Sequence, residues 1–398
     1  MWSGRHVVVG VSGGIASYKS CHLVRRLTEA GARVDVVLTS GAAEFVRPVT
    51  FEALSGRPVL TSLWEPGRAL DHIRLGHEAD LLLVAPATAH LLARVANGLA
   101  DDLLTSILLA ATRPILMAPA MNDAMFAADA TQQNLRVLAD RGVHLVGPDT
   151  GPLAEGPSQR PGRMSEPETI LHHAARLLRG TGPLAGKRVV VTAGPTREAL
   201  DPVRFISNRS SGKMGFHLAQ EAWHRGADVR LIAGPSALAA PVGPILQHIE
   251  TTADLLRVVA AELPMTDVLI MAAAPADYRP AEVLGEKRAR SKGPITVGLS
   301  PTEDILTATL ALRKKGAVMV GFALETGDGV AKAQEKLSRK GLDLIVMNDA
   351  LEPGAGFEVD TNRVTILDRD GGRWDVPLAG KDQVAREILD RVEARLDR

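Results

Sequence analysis

Between Arg204 and Gly215 the chain reads RFISNRSSGKMG, which sets an amide (Asn208), two hydroxyls (Ser210, Ser211) and a Gly212-Lys213 pair before a helical stretch. Such a run resembles a phosphate loop, because backbone N–H groups at a helix start suit an anion. It is not a Walker loop. That motif needs G-x-x-x-x-G-K-[ST], so that a hydroxyl after the lysine reaches magnesium. Here Met214 follows Lys213, and Ser207 stands where the first glycine belongs.

A second set of groups lies near the N-terminus. Ser12, Gly13 and Gly14 fall between the β-branched run HVVVGV and a helical stretch. That junction is a natural anion site, and equally a turn whose glycines serve sterics alone. Thr39 and Ser40 end the next strand, and ligands of open α/β sheets sit beyond the carboxyl ends of strands. A dinucleotide fingerprint needs G-x-G-x-x-G and an acidic residue closing the second strand; neither is present, which excludes a nicotinamide dehydrogenase. The stretches APATAH and APAMN each end a strand with small residues and then present Thr88 or Asn122. His72, in LDHIRLGHEAD, begins a helical stretch and is either a general base or a structural histidine.

The elements that must position these groups follow an alternating pattern. HVVVGV, RVDVVLT, ADLLLVAPA, RPILMAPAM and VHLVGP read as buried strands separated by helices such as LLTSILLAA. The pattern restarts at KRVVVTAG and continues through DVLIMAAAP, AVMVGFALE and LDLIVMND. It closes with a hairpin, NRVTILDRDGGRWDVPL, and an amphipathic helix, KDQVAREILDRVEARL. Two α/β domains with mainly parallel sheets are expected, 1–180 and 181–398, joined through the turn-rich RGTGPLAGK. An irregular stretch, 147–164, interrupts the first; long loops of this kind are disordered or are functional lids.

Bulk composition narrows the class. Among 398 residues, Lys+Arg and Asp+Glu are both 46, so no net field attracts a nucleic acid or an anionic membrane. A single cysteine, Cys21, rules out an internal disulfide and fits a reducing compartment. The opening residues, MWSGRHVVVG, carry no signal-like apolar run, and a cytoplasmic protein is expected.

The motifs GVSGGIASYK, DHI, APATA, ANGLADDLLT, PAMN and GRM, in that order, resemble the flavin-dependent phosphopantothenoylcysteine decarboxylases over residues 4–175. The resemblance implies a flavodoxin-like three-layer sandwich with FMN at a trimer interface. It also implies FMN contacts from Ser12, Gly13, Gly14, Thr39, Ser40, Pro86, Ala87, Thr88 and Ser106. His72 would be catalytic, Asn122 would hold the substrate carboxylate, and the 147–164 stretch would be a flap over the substrate. Two positions depart from the pattern. His90 replaces an asparagine, and Glu155 replaces the flap cysteine that normally protonates the reduced intermediate. Glu155 thereby becomes a candidate donor. An exposed glutamate is ionised at neutral pH, but desolvation under a lid raises a carboxyl pKa.

The second half, from TAGPTREALDPVRFISNRSSGKMG through AAAPADYRP, VGFALET and KLSRKGLDLIVMND, resembles the phosphopantothenate–cysteine ligases over residues 185–398. Such a domain is Rossmann-like and activates a carboxylate with CTP and Mg2+ before cysteine's amine attacks. The resemblance makes Asn208 and Lys287 catalytic. It assigns substrate contacts to Ser210, Ser211, Gly212, Lys213, Ala274, Asp277, Thr302, Glu303, Asp304, Ile305, Phe322, Lys336 and Lys340. Polyphosphate is then clamped electrostatically without a Walker fold. Lys336 and Lys340, taken alone, equally suit a solvated helix face. Thr302 and Glu303 depart from an N-P-D-I pattern. The metal ligands are not legible. The family implies ligase dimers and decarboxylase trimers that assemble into a dodecamer, with small-molecule substrates and no nucleic-acid or membrane partner. Two other readings stay open: a ligase fused to an oxidative cysteine decarboxylase that releases an enethiol, or a non-catalytic regulatory flavoprotein.

Overall fold

The computed structural model describes residues 1–287, 296–325, 329–349, 356 and 359–397. The chain forms two compact units, Met1–Leu178 and Arg179–Arg398. In the first, β1 (His6–Val11), β2 (Arg33–Leu38), β3 (Leu81–Ala87), β4 (Ile115–Pro119) and β5 (His144–Leu145) form a parallel sheet in the order β2-β1-β3-β4-β5. Every residue of β1 and β3 is buried, as a parallel sheet covered on both faces requires. Alternation along β1 assigns its valines to two layers. Val7, Val9 and Val11 pack with Leu23, Val24 and Leu27 of the helix Ser17–Glu29, whereas Val8 joins Leu91, Leu92 and Ile107 on the opposite face. The result is a helix–sheet–helix sandwich.

The stretch 147–164 is structured at its ends. Asp149–Thr150 pairs antiparallel with Pro161–Arg163, and the Ser165 hydroxyl donates to Asp149 Oδ1 at 2.8 Å.

The second unit contains β6 (Arg188–Ala193), β7 (Asp228–Ala233), β8 (Ile245–His248), β9 (Val268–Met271), β10 (Val318–Glu325), β11 (Leu344–Asp349), β12 (Thr361–Asp368) and β13 (Arg373–Gly380). Its sheet runs β8-β7-β6-β9-β10-β11-β12-β13, parallel until β12 and β13 close it as an antiparallel hairpin. Val189 and Val191 pack on the helices Lys213–His224 and Lys381–Leu396. Val190 packs on the other face, with Leu255 and Val259 of the helix Thr252–Glu262.

A buried charge network ties two of these helices together. Arg225 Nε donates to Glu221 Oε1 at 3.0 Å, Arg179 Nη2 reaches the same oxygen at 2.8 Å, and Arg225 Nη1 meets Glu393 at 2.6 Å. Burial by itself would raise the Glu221 carboxyl. Hydrogen bonds from His224 and Arg179 and the charges of Arg179 and Arg225 overcome it and hold the pKa at about 2, below the ordinary 4.5. A depressed folded pKa means that this stability is complete above pH 4.5 and is lost as pH falls toward 2. Glu221→Gln is therefore expected to cost the second unit about 3 kcal/mol at neutral pH, since it strands buried guanidinium charge. Thermal unfolding from pH 7 to pH 2 should show that deficit shrinking on the acid side; a constant deficit would sink the assignment.

Candidate active sites

Strands β1 to β4 end at one edge of their sheet, around a cavity of about 750 Å³. Ser12, Gly13, Gly14, Thr39, Ser40 and Thr88 line one part of it, and Asn122 and Glu155 another. Ser12 Oγ donates to the Pro86 carbonyl at 2.8 Å and accepts from Thr88 N at 3.0 Å, which fixes the β1 and β3 ends against each other. Gly13 permits a close approach: a Cβ there would lie 2.7 Å from the carbonyl carbon of Gly41. Hydroxyls and backbone at the strand ends, with Ile15, Tyr18, Met121 and Met125 beside them, offer one polar and one apolar region. A flavin, with its anionic tail and apolar ring system, fits that division.

Not every expected residue lines this cavity. Pro86 and Ala87 lie within β3 behind the lining, and Ser106 turns its hydroxyl to the Ala100 carbonyl at 3.2 Å. His72 is the second residue of the helix Asp71–Glu78, not at a strand end, and it is not among the lining residues. Its Nδ1 is buried and has no hydrogen-bond partner among the described residues. Within one chain, His72 and Asn122 do not share a cavity. Lys19, which sequence reasoning passed over, does line it; its buried ammonium donates to the Met164 carbonyl at 2.8 Å and to Glu166 at 3.0 Å. A lysine on the inward face of a helix was the available signal.

Asn122 caps the short helix Asp123–Ala127, its Oδ1 accepting from Ala124 N at 2.8 Å and Met125 N at 3.4 Å. That leaves Nδ2 as the donor toward the cavity, and it donates to Glu155 Oε1.

In the second unit the strand ends open on a cavity of about 440 Å³. It gathers Asn208, Ser210, Ser211, Gly212, Lys213, Ala274, Asp277, Thr302–Ile305, Phe322, Lys336 and Lys340. Gly212 holds φ +84 at the start of the helix Lys213–His224, against Gly194, and no side chain caps the first turn. Lys336 Nζ donates to the Phe322 carbonyl at 3.0 Å, and Lys340 pairs with Asp304 at 2.8 Å, so neither merely solvates a helix face. Burial would raise the Asp304 carboxyl, but the hydrogen bond and charge of Lys340 lower it overall. Thr302 turns inward: its N–H donates to the Asp277 carbonyl at 2.9 Å and its hydroxyl to the Ala276 carbonyl at 2.6 Å.

Asn208 Nδ2 donates to the carbonyls of Ala274 at 3.1 Å and Pro275 at 3.0 Å, which spends both amide protons. Its Oδ1 is then the group that remains for a ligand. Lys287 is exposed and does not line the cavity. Sequence reasoning missed Asn348, Asn362 and Lys381, which do. Lys381 donates to the Gly356 carbonyl at 2.9 Å and to that of Val359, and burial followed by the charge of Lys213 pushes it down to about 8. A cation at the first position of a helix opposes the dipole, and that placement was its legible signal. Among the described residues no group of three or more His, Cys, Asp and Glu side chains could hold a metal ion. No described helix is long and apolar enough to cross a membrane.

Residues 1–179 match the Flavoprotein family, and residues 184–396 match the DNA/pantothenate metabolism flavoprotein C-terminal domain. The two matches define the class, a flavoprotein fold joined to a pantothenate-metabolism domain. The chain is 43% identical over 398 residues to the coenzyme A biosynthesis bifunctional protein CoaBC of Vibrio cholerae, covering 99% of each. To the CoaBC of Bacillus subtilis it is 44% identical over 399 residues, and to that of Mycobacterium tuberculosis 46% over 403, with at least 96% of each chain covered. It belongs to the CoaBC family.

Gly13→Ala tests the first cavity, because its Cβ forces the strand-end turn away from Gly41. The purified variant is expected to lose most of its bound flavin while the second unit keeps its activity. Flavin absorbance per chain measures this; full flavin content would refute the placement.

Proposed function

We infer that this chain performs two consecutive steps of coenzyme A biosynthesis. The second unit joins cysteine to 4'-phosphopantothenate at the expense of CTP, and the first decarboxylates the product to 4'-phosphopantetheine. The observation that carries this reading is similarity of 43% to 46% over nearly the whole chain to bifunctional CoaBC proteins. Neither a ligase fused to an oxidative cysteine decarboxylase nor a non-catalytic flavoprotein is favoured by a similarity that runs through both halves to proteins named as bifunctional in coenzyme A biosynthesis.

In the ligase step, the substrate carboxylate attacks the α-phosphorus of CTP, releasing diphosphate and forming an acyl-cytidylate; the cysteine amine then displaces CMP. Magnesium arrives with the nucleotide, as is usual where phosphates supply most of its ligands. The uncapped helix start at Gly212, with Ser210 and Ser211, binds phosphate oxygens, and Lys213, Lys336 and Lys340 supply positive charge. Asp277, Ala274 and Phe322 form the wall toward the nucleoside. Lys287 is retained as a phosphate ligand on the family resemblance. Asn208 acts as an acceptor: with both N–H groups spent, its Oδ1 holds an N–H of the attacking amine.

In the decarboxylation, FMN, when bound, supplies removal and return of two electrons at the thiol end of the substrate. Oxidation creates the electron sink that an unmodified thiol carbon lacks. Asn122 Nδ2 orients the departing carboxylate, and Glu155 is the candidate donor of the final proton to carbon. A second copy of the chain brings His72 to this cavity, in the trimeric arrangement that the resemblance implies. Trp64, Leu70 and Ile73, all exposed near His72 in sequence, suit such an interface.

Two sets of variants test these assignments by product mass. Asn208→Asp turns a carboxylate toward two carbonyls, so diphosphate release is expected to continue while amide formation falls by two or more orders of magnitude. Lys287→Gln is expected to slow diphosphate release itself. Normal amide formation by Asn208→Asp would remove its role. In the other unit, His72→Asn and Asn122→Asp are expected to stop CO2 release with ligation intact, and Glu155→Gln to release the unsaturated enethiol. Saturated thiol formed by Glu155→Gln at the parent rate would exclude Glu155 as donor.

A further inference from the structure

We propose that Glu155 is an internal stand-in for the substrate carboxylate, occupying the Asn122 amide in the ligand-free cavity until an acyl-cysteine displaces it. The proposal rests on the reading of Asn122 as the carboxylate-binding group.

The polarity of that amide is settled by its neighbours. Two backbone N–H groups, of Ala124 and Met125, point at Oδ1, and a flipped amide would set donors against donors. Nδ2 must therefore face the cavity as a donor. The acceptor it has found is a carboxylate oxygen of Glu155, the same functional group that the substrate loses.

The fold presents Glu155 deliberately. Leu153 N donates to the Gly156 carbonyl at 2.8 Å and Gly156 N returns a bond to Leu153 at 3.1 Å, so Ala154 and Glu155 form the tip of a closed turn. Ser158 Oγ donates to Asp123 Oδ2 at 2.6 Å and holds the following residues beside the helix that Asn122 caps. The cations lining the cavity are engaged elsewhere: Lys19 and Arg163 on Glu166, and Arg94 on Asp101 and Asp102. Among the described residues that line the cavity no lysine or arginine is left to offset a second carboxylate at Asn122, so the two acids repel each other at one nitrogen even though it carries two N–H groups. Because Glu155 is exposed, swinging it away buries no unpaired charge. Its competition is accordingly modest, and its return after CO2 departs favours release of a product that no longer carries the carboxylate.

Two unreactive probes isolate the effect in the FMN-loaded enzyme. One is 4'-phosphopantothenoylserine, which keeps the carboxylate but has a hydroxyl for the thiol; the other is its descarboxy counterpart, the ethanolamine amide. Calorimetry on Glu155→Ala is expected to show the serine probe binding about three- to ten-fold tighter, the scale of one exposed charged hydrogen bond. The ethanolamine probe should change by less than about two-fold. Glu155→Asp keeps the charge but withdraws it by one methylene, and is expected to follow Glu155→Ala. An equal change for both probes, no tightening for the serine probe, or an aspartate variant that behaves like the parent would each overturn the proposal. Asn122→Ala separates it from the reading beneath: there the two probes should bind alike. If they still differ by the parent's margin, the Asn122 assignment falls and takes the proposal with it. If they bind alike but Glu155→Ala changes nothing, only the stand-in fails.

Discussion

Everything functional here depends on burying parallel strands on both faces. A parallel sheet covered by helices has no solvent-facing side, so its strands become nearly uninterrupted runs of Val, Leu and Ile, and polar chemistry is pushed to the edge where strands end. In both units the small residues that close strands, such as Ala87 in β3 and the alanines after β9, keep that edge open. The two cavities occupy equivalent places in their respective sheets. Each lies where backbone groups leave the hydrogen-bond ladder and become available to a ligand.

Two asparagines show how the same side chain is given opposite chemistry by what it is tied to. Asn122 has its oxygen engaged by backbone donors and offers N–H groups to the cavity. Asn208 has its nitrogen engaged by backbone carbonyls and offers oxygen. One polarity suits a departing carboxylate and the other an incoming amine. In both cases the backbone fixes which end is presented, without a second side chain.

Charge is managed differently in the two sites. The cavity of the second unit holds lysines on paired carboxylates or carbonyls that a polyphosphate can replace, as with Lys213 on the exposed Asp360 at 2.6 Å and Lys340 on Asp304. The cavity of the first unit has its cations committed to carboxylates on the protein and turns a neutral amide inward. A site that clamps polyanions benefits from mobile positive charge. One that must release CO2 gains nothing from binding the carboxylate too well, since ground-state attraction does not lower the barrier.

The sequence alone determined the two α/β halves, the strands with their glycine turns, and many of the polar residues that line the two cavities, because these follow from local apolar runs and from motifs that are contiguous in the chain. The stretch from Asn208 to Lys213, which lines the second cavity, was legible for that reason. Tertiary structure decided what depends on distant neighbours. It moved His72, Pro86, Ala87, Ser106 and Lys287 out of the cavity linings, and it brought in Lys19, Asn348, Asn362 and Lys381, which lie outside the motifs that the sequence made legible. It also set the direction of Asn208, whose amide is tied to the carbonyls of Ala274 and Pro275 far along the chain, whereas the direction of Asn122 follows from the local helix start that it caps, because an amide's polarity is chosen by whichever donors and acceptors lie beside it.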